Sequence, residues 1–132
     1  MPAKTKLAQV VAKEEGFGRP GVIPTLRNNP GDLRHSPHSE HPGGPGHADD
    51  IGTIDTVQDG WDDLERQLEI YAHQGLTLRA MVNVYCGLPR DAAPGQSAPD
   101  GNNAVRYLAA VCTGMDMPPQ TLVADALKVP AI

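Results

Sequence analysis

The stretch VVAKEEGFGRP, residues 10–20, runs from an apolar segment into two glutamates and then a glycine. Leu7, Val10 and Val11 share one face of a helix that this periodicity predicts over residues 4–15. The glycine that follows is the expected stop, because glycine readily adopts the left-handed backbone that closes a helix. A glycine alone would end the helix, so the two glutamates in its last turn need a separate explanation.

The two glutamates differ in their place on the helix. On a helical wheel Glu14 lies near the centre of the apolar face, and Glu15 lies at its edge beside Val11. Burial disfavours the charged form of a carboxyl group, so its pKa rises and it stays protonated near neutrality. A general acid for glycosidic cleavage needs this property. The alternative is that one or both are solvated at a fraying helix end, and periodicity alone favours that alternative.

A second segment, IPTLRNNPGDLRH at residues 23–35, is rich in turn-forming residues. Asn28 and Asn29, followed by proline and glycine, predict a turn in which the amide side chains bond the backbone. The same rigid turn also suits contacts with the hydroxyl and acetamido groups of a sugar. Both roles stay open at this point.

Apolar periodicity predicts four further helices. They run from Trp61 to about His73, from Thr77 as cap to Tyr85, from Asn103 as cap to a stop at Gly114, and over Gln120–Leu127, where Leu122, Val123 and Leu127 are expected to be buried. Some 45 residues between the first two helices lack this signal, and IGTIDTV at 51–57 alternates as a short strand does. We therefore expect a mostly α fold of the α+β type, with about five helices and an irregular lobe over about 16–60 that has room for a small β-hairpin.

Composition limits the classes of protein to consider. A chain of 132 residues with 39% hydrophobic residues suits one folded domain, 1–132. The net charge of −5, with no long run of Lys or Arg, argues against nucleic-acid binding. There is no apolar run of 18 residues and no hydrophobic core of a secretory signal in MPAKTKLAQVV. We expect no membrane span and synthesis in the cytoplasm without a signal peptide.

Two alternative chemistries have weaker support. The histidines in HSPHSEHPGGPGHADD lack the i, i+4 spacing of two helical metal ligands, so we expect no functional metal and no cofactor. Cys86 could act as a thiol nucleophile, but no local signature surrounds it, and Cys86 and Cys112 fit free thiols in a reducing site of synthesis. The histidines concerned are His35, His38, His41 and His47, with Asp49 and Asp50 beside them.

Five segments together resemble a phage-associated family of small lysozyme-like lytic transglycosylase domains. They are EEGF, IPTLRNNPGDLR, DGWDDLERQL, GLTLRAMVNVY and DGNNAVRYLAAVCTG, and the resemblance covers about residues 7–127. It implies a lysozyme-like fold and an enzyme that cleaves peptidoglycan glycan strands between N-acetylmuramic acid and N-acetylglucosamine. It further implies a monomer that acts on the periplasmic or cell-wall peptidoglycan, or is carried in a virion.

The resemblance assigns roles to particular residues. Glu15, directly before the glycine, matches the catalytic acid/base glutamate that lysozyme-like enzymes carry at the end of their first long helix. Glu14 matches no residue that the family requires. Two positions depart from the pattern: the third helix ends in YCGLP rather than Tyr-Ala-Pro, and Asp32 stands where Asn is usual. The expected substrate contacts are Asn28, Asn29, Arg34, Tyr85, Asn102, Asn103 and Tyr107.

Three readings of function follow from these residues. The resemblance favours a lytic transglycosylase, in which one glutamate is acid and then base and the product carries a 1,6-anhydromuramic end. A hydrolytic muramidase would use water and usually a second carboxylate about 5–9 Å away. A non-catalytic wall-binding or virion structural protein would keep the fold without turnover, and a thiol peptidase is a more distant class. The candidates for a second carboxylate are Asp49, Asp50, Asp55 and Asp59.

Overall fold

The computed structural model describes residues 3–34, 36–40, 51–93 and 103–132. Within these ranges the fold is mostly helical with a small antiparallel sheet, as the sequence predicts for an α+β protein. No helix of the described ranges is long and apolar enough to cross a bilayer. The helices are α1 (Lys6–Glu14), α2 (Ile23–Leu26), α3 (Val57–His73), α4 (Leu78–Tyr85), α5 (Ala104–Met115) and α6 (Val123–Ala126), and the strands are β1 (Ser39–Glu40) and β2 (Thr53–Ile54).

Capping residues set the ends of α1, as the sequence indicates. The Thr5 hydroxyl accepts a hydrogen bond from the Ala8 N–H at the start of the helix. At the other end Gly16 has φ +89°, which is the left-handed conformation expected of a terminating glycine. The helix that carries the two glutamates is therefore fixed at both ends.

The other predicted helices are present with shifted bounds. α4 and α5 begin after the predicted caps Thr77 and Asn103, whose side chains accept hydrogen bonds from backbone N–H groups. α3 begins at Val57 rather than at Trp61. α6 is shorter than predicted, and Leu122 is 45% exposed, so its predicted burial is wrong. Leu122 lies instead in extended backbone, paired with Thr77 in an antiparallel bridge.

The irregular lobe contains the small sheet and one short helix. Ser39 pairs with Ile54 and Glu40 with Thr53, so part of the predicted 51–57 strand is confirmed. Helix α2 was not predicted, because four residues with a proline near the start give no periodic signal.

The chain divides into two compact units, Met1–Gln67 with Pro130–Ile132, and Leu68–Val129. In the first unit the buried apolar side chains come from α1, α3 and the lobe: Ala3, Leu7, Ala8, Val11, Ala12, Leu33, Ile54, Trp61 and Leu64. In the second unit they come mainly from α4, α5 and α6, and include Leu78, Met81, Val82, Val111, Met115, Val123 and Ala126. Each unit thus has apolar burial of its own.

The last residues of the chain complete the first unit. Pro130 forms an antiparallel bridge with Thr5, directly before α1. The Gln9 side chain donates to the Ile132 carbonyl oxygen at 3.2 Å and accepts from the Ile132 N–H at 2.9 Å. We call this pairing of residues 130–132 with the start of α1 the terminal clasp.

Candidate functional site

Glu15 is the C-cap of α1 and is half-buried, whereas Glu14 is exposed. The helical wheel placed Glu14 near the centre of the apolar face, and that placement is wrong. The buried face passes through Leu7, Ala8, Val11 and Ala12, so its centre lies further round the helix than the wheel predicted. Continuing that face past the end of α1 reaches Glu15.

The backbone after α1 is fixed by the hydrogen bonds of a Schellman motif. The Gly16 N–H donates to the Lys13 carbonyl at 3.0 Å, and the Phe17 N–H donates to the Ala12 carbonyl at 3.0 Å. The Phe17 ring packs edge-to-face on Trp61, with 5.3 Å between ring centroids. These contacts hold the helix end against α3, so the candidate acid sits on a rigid support.

Asn29 organises the turn that follows α2. It is fully buried, and its Nδ2 donates to the carbonyl oxygens of Leu33 at 2.7 Å and Gly52 at 2.8 Å. Its Oδ1 accepts from the Leu33 N–H at 3.0 Å. All these bonds are to the backbone, which is the structural alternative that the sequence left open. Asn29 therefore ties the turn to the segment leading into β2.

Asn28 and Gly60 fix where this turn meets α3. Asn28 has φ 52°, and its Nδ2 donates to the Ile54 and Asp55 carbonyl oxygens at 3.0 and 3.2 Å. A Cβ added at Gly60 would lie 2.0 Å from the Asn28 carbonyl oxygen and 2.8 Å from Pro30 Cδ. The glycine before Trp61 is thus needed for close approach of helix and turn.

Asp32 is the residue in this turn that sequence reasoning placed only as a departure from the family pattern. It is half-buried with φ 52°, and a side-chain hydrogen bond joins its carboxyl group to that of Glu15. Burial raises the pKa of Asp32 above its ordinary 3.8, while the bond to Glu15 and the charges of Arg34 and Arg27 act in the opposite direction. The carboxyl of Asp32 is thus the group that the structure places against the candidate acid.

A second acidic cluster joins the lobe to α3. Asp63 is 2% exposed, and its carboxylate accepts hydrogen bonds from the Ser36 hydroxyl at 2.5 Å and the His38 N–H at 3.0 Å. The His38 ring Nδ1 lies 2.6 Å from the other Asp63 oxygen, and this hydrogen bond raises the pKa of His38. The serine hydroxyl bonds the aspartate rather than the imidazole, so this cluster is not a serine nucleophile site.

The predicted sugar contacts outside this turn are spread over both units. Arg34 is exposed in the first unit. In the second unit Tyr85 is half-buried and Tyr107 is buried, with ring centroids 6.0 Å apart. Asn103 caps α5 through its Oδ1, which accepts from the Arg106 N–H at 3.0 Å. Asn102 lies outside the described residues.

Several other predicted residues also fall outside the described ranges. These are His35, His41 and His47 of the predicted metal-free loop, and the candidate second carboxylates Asp49 and Asp50. Of the remaining carboxylates, Asp55 is exposed, and Asp59 lies 3.9 Å from the His38 ring. Among residues whose positions are described, no three His, Cys, Asp or Glu side chains form a group that could hold a metal ion.

The second unit contains a cavity of about 640 Å³ between α4 and α5. Its lining includes Leu108 and Cys112, together with the polar side chains of Thr77, Arg79, Asn83 and Gln120. Arg79 and Asn83 both donate to the Ala92 carbonyl oxygen, at 2.8 and 3.4 Å. Burial raises the pKa of the Cys112 thiol, which makes it a poor nucleophile. The cavity therefore presents apolar surface rather than a reactive group.

In comparisons with known proteins, no family model, curated protein or solved structure matched this chain. The resemblance to the lytic transglycosylase family accordingly rests on the quoted motifs alone. The structure adds the geometry around Glu15 to those motifs.

Proposed function

We propose that this protein is a lysozyme-like peptidoglycan lytic transglycosylase with Glu15 as its acid/base. One observation carries the proposal: Glu15 is half-buried as the C-cap of α1, directly before Gly16. Burial disfavours the charged form of a carboxyl group in general. A half-buried carboxyl at the rigid end of a helix is therefore suited to act as a general acid.

The chemistry requires no other reactive group than Glu15. Its proton passes to the glycosidic oxygen as the bond to the anomeric carbon of N-acetylmuramic acid breaks. The resulting carboxylate then takes the proton of the muramic 6-hydroxyl, whose oxygen attacks the anomeric carbon. The products are a free N-acetylglucosamine hydroxyl and a 1,6-anhydro ring, and Glu15 is protonated again.

The motifs shared with the family support this proposal through the structure they form. Gly16 ends α1 behind the candidate acid, and Gly60 gives α3 room against the Asn-Asn-Pro-Gly turn. Asn29 then fixes the backbone of the residues that lead to Asp32. Each of these three motifs thus has a structural role in the unit that carries the candidate acid.

The test is digestion of purified peptidoglycan, with mass spectrometry of the soluble fragments. We expect 1,6-anhydromuramic ends. Reducing ends would instead show a hydrolytic muramidase, and new free amino groups without new sugar ends would show a peptidase. If no fragment is released, the result would favour a non-catalytic wall-binding or virion structural protein.

The role of Glu15 is tested by Glu15→Gln, with Glu14→Gln as the matched control. An acid/base contributes roughly 10²–10⁴-fold to the rate. We expect a loss of this size for Glu15→Gln and little change for the exposed Glu14. A Glu15→Gln variant that keeps more than half of the wild-type rate would refute the assignment.

A further inference from the structure

The cavity between α4 and α5 has the size and the lining of a small-molecule site. Its volume of about 640 Å³ falls within the range of roughly 300–1,000 Å³ that is usual for such sites. Its described lining lies wholly within the second unit. Val105, Leu108 and Cys112 follow one another at helical spacing, so they place one face of α5 along the cavity. A ligand in this cavity would therefore contact a continuous apolar wall.

This wall is a second apolar face of α5, distinct from the face that packs in the core. The core face carries Tyr107 and Val111, which are buried. On the cavity side Val105 is 51% exposed, and Leu108 and Cys112 are half-buried. Helices that are apolar on more than one side are usually buried all round. The second face is thus apolar surface that is available to a ligand.

The charge of the cavity comes from Arg79. Among the described residues of the lining it is the one charged side chain, so no carboxylate of that lining neutralises it. One guanidinium nitrogen donates to the Ala92 carbonyl oxygen at 2.8 Å, and the Arg79 backbone N–H donates to the Pro119 carbonyl oxygen at 3.0 Å. A guanidinium has five N–H donors, so this anchoring leaves donors for a ligand. Charge complementarity therefore favours a carboxylate, which a guanidinium binds through two parallel hydrogen bonds.

Asn83 places a hydrogen-bond acceptor beside the guanidinium. It is 6% exposed, and its Nδ2 donates to the carbonyl oxygens of Arg90 at 3.2 Å and Ala92 at 3.4 Å. Arg79 and Asn83 are neighbours, because both donate to the Ala92 carbonyl oxygen. Both bonds of the amide use Nδ2, so Oδ1 is the acceptor that Asn83 offers to a ligand. A cationic donor next to an acceptor matches a ligand whose carboxylate and N–H lie close together.

We propose that this cavity binds the carboxyl terminus of a short peptide with apolar side chains. Arg79 binds the terminal carboxylate, Asn83 Oδ1 accepts the N–H of the last residue, and the apolar wall of α5 contacts its side chain. A terminal residue suits this arrangement because one carbon carries both its carboxylate and its N–H. The inference is independent of the proposed function, since it uses residues of the second unit alone.

The test is a proton–nitrogen NMR titration of the full chain with N-acetyl-alanyl-alanine, in an all-L and an all-D form. We expect shifts of the Val105, Leu108 and Cys112 amides that saturate as the peptide concentration rises. The two forms share their chemistry but represent different sources, since proteins supply the L form and bacterial cell walls the D form. Saturable shifts at these residues with either form support the site, and the form that binds more tightly identifies the source. No saturable shift there with either form would overturn the proposal.

Changes in the ligand test each contact without altering the protein. N-acetyl-alanyl-alanine amide lacks the carboxylate, and we expect it to bind about tenfold more weakly or worse, as is usual when a hydrogen bond to a charged group is lost. Octanoate keeps a carboxylate and an apolar body but has no N–H, so we expect it to bind more weakly than the peptide. Equal binding of the amide would overturn the role of Arg79. Tighter binding of octanoate would overturn the choice of a peptide as the ligand.

Arg79→Gln is the corresponding change in the protein, with Arg106→Gln as the matched control. Both remove one positive charge from the second unit, but Arg106 is exposed and does not line the cavity. We expect Arg79→Gln to weaken peptide binding about tenfold or more, and Arg106→Gln to bind the peptide as the wild type does. Equal losses in the two variants would show attraction by net charge alone and would overturn the site. If Arg79→Gln does not fold, the comparison of peptide and amide in the wild type decides the role of Arg79.

Discussion

Asn29→Ala tests whether the Asn-Asn-Pro-Gly turn is held by one buried amide. The substitution removes three hydrogen bonds of 2.7 to 3.0 Å from a fully buried side chain. It leaves the Leu33 N–H and the Gly52 carbonyl oxygen without this partner, each costing about 1–3 kcal/mol when buried, whereas the Leu33 carbonyl oxygen keeps the Gly52 N–H at 3.0 Å. Since water can enter the space left by the amide, we expect the low end of each cost and a total loss of about 2–4 kcal/mol. That is a large share of the roughly 5–15 kcal/mol by which most domains are stable.

The assay is urea unfolding followed by the fluorescence of Trp61, the single tryptophan, which packs on Phe17 in the same unit. Asn28→Gly is the matched control. This substitution also removes two amide hydrogen bonds, and glycine keeps the left-handed backbone. One of the two bonds is exposed, however, so water can replace the Asn28 amide as its donor. We expect the control to lose about 1 kcal/mol. Equal losses for the two variants would refute the argument that burial of Asn29 holds the turn.

Three other predictions follow from the same structure. Gly60→Ala forces a Cβ against the Asn28 carbonyl oxygen, so we expect a net loss of about 2 kcal/mol in urea unfolding despite the higher helix propensity of alanine; unchanged stability would contradict the close approach. The hydrogen bond to Asp63 raises the pKa of His38, so the stabilising contribution of His38 is complete below the ordinary pKa of 6.5 and lost as pH rises through the folded value. Denaturation midpoints should therefore fall less between pH 6 and 9 in His38→Gln than in the wild type, and equal slopes would contradict the assignment. Dialysis against a chelator should leave peptidoglycan cleavage unchanged, and a loss of activity that zinc restores would show that the loop histidines bind a functional metal.

Several helix ends were predictable from a single residue, but the predicted stop at Gly114 is wrong, because α5 continues through it to Met115 and ends at Asp116 in a left-handed conformation. Gly16, Thr77 and Asn103 each act through their own backbone or side chain, and each ends or begins a helix as expected. The start of α3 was missed although the sequence holds a signal for it. The Thr56 hydroxyl accepts a hydrogen bond from the Asp59 N–H, so the helix begins at Val57, four residues before Trp61. Capping at this position would have predicted the observed start.

The candidate site was predictable only in part, since its geometry depends on tertiary contacts. The order of the motifs pointed to Glu15, whereas the helical wheel placed Glu14 nearer the centre of the apolar face, because a wheel cannot show which neighbours cover a helix end. The pairing of Glu15 with Asp32 depends on a left-handed turn residue and a buried amide, both set by contacts far along the chain. Asp32 is visible in the sequence as part of the turn, but its left-handed conformation and partial burial needed the structure.

The terminal clasp has a consequence for the order in which the first unit folds. The bonds between Gln9 and Ile132 join residues 123 positions apart. Closing a flexible loop of that length costs about 4 kcal/mol of chain entropy, so these contacts form once the intervening chain is already ordered. Both Gln9–Ile132 bonds are solvent-exposed, so we expect the clasp to open before the buried parts of that unit. Its opening loosens the start of α1, whose other end carries Glu15, so hydrogen exchange in that helix should rise steeply toward Thr5.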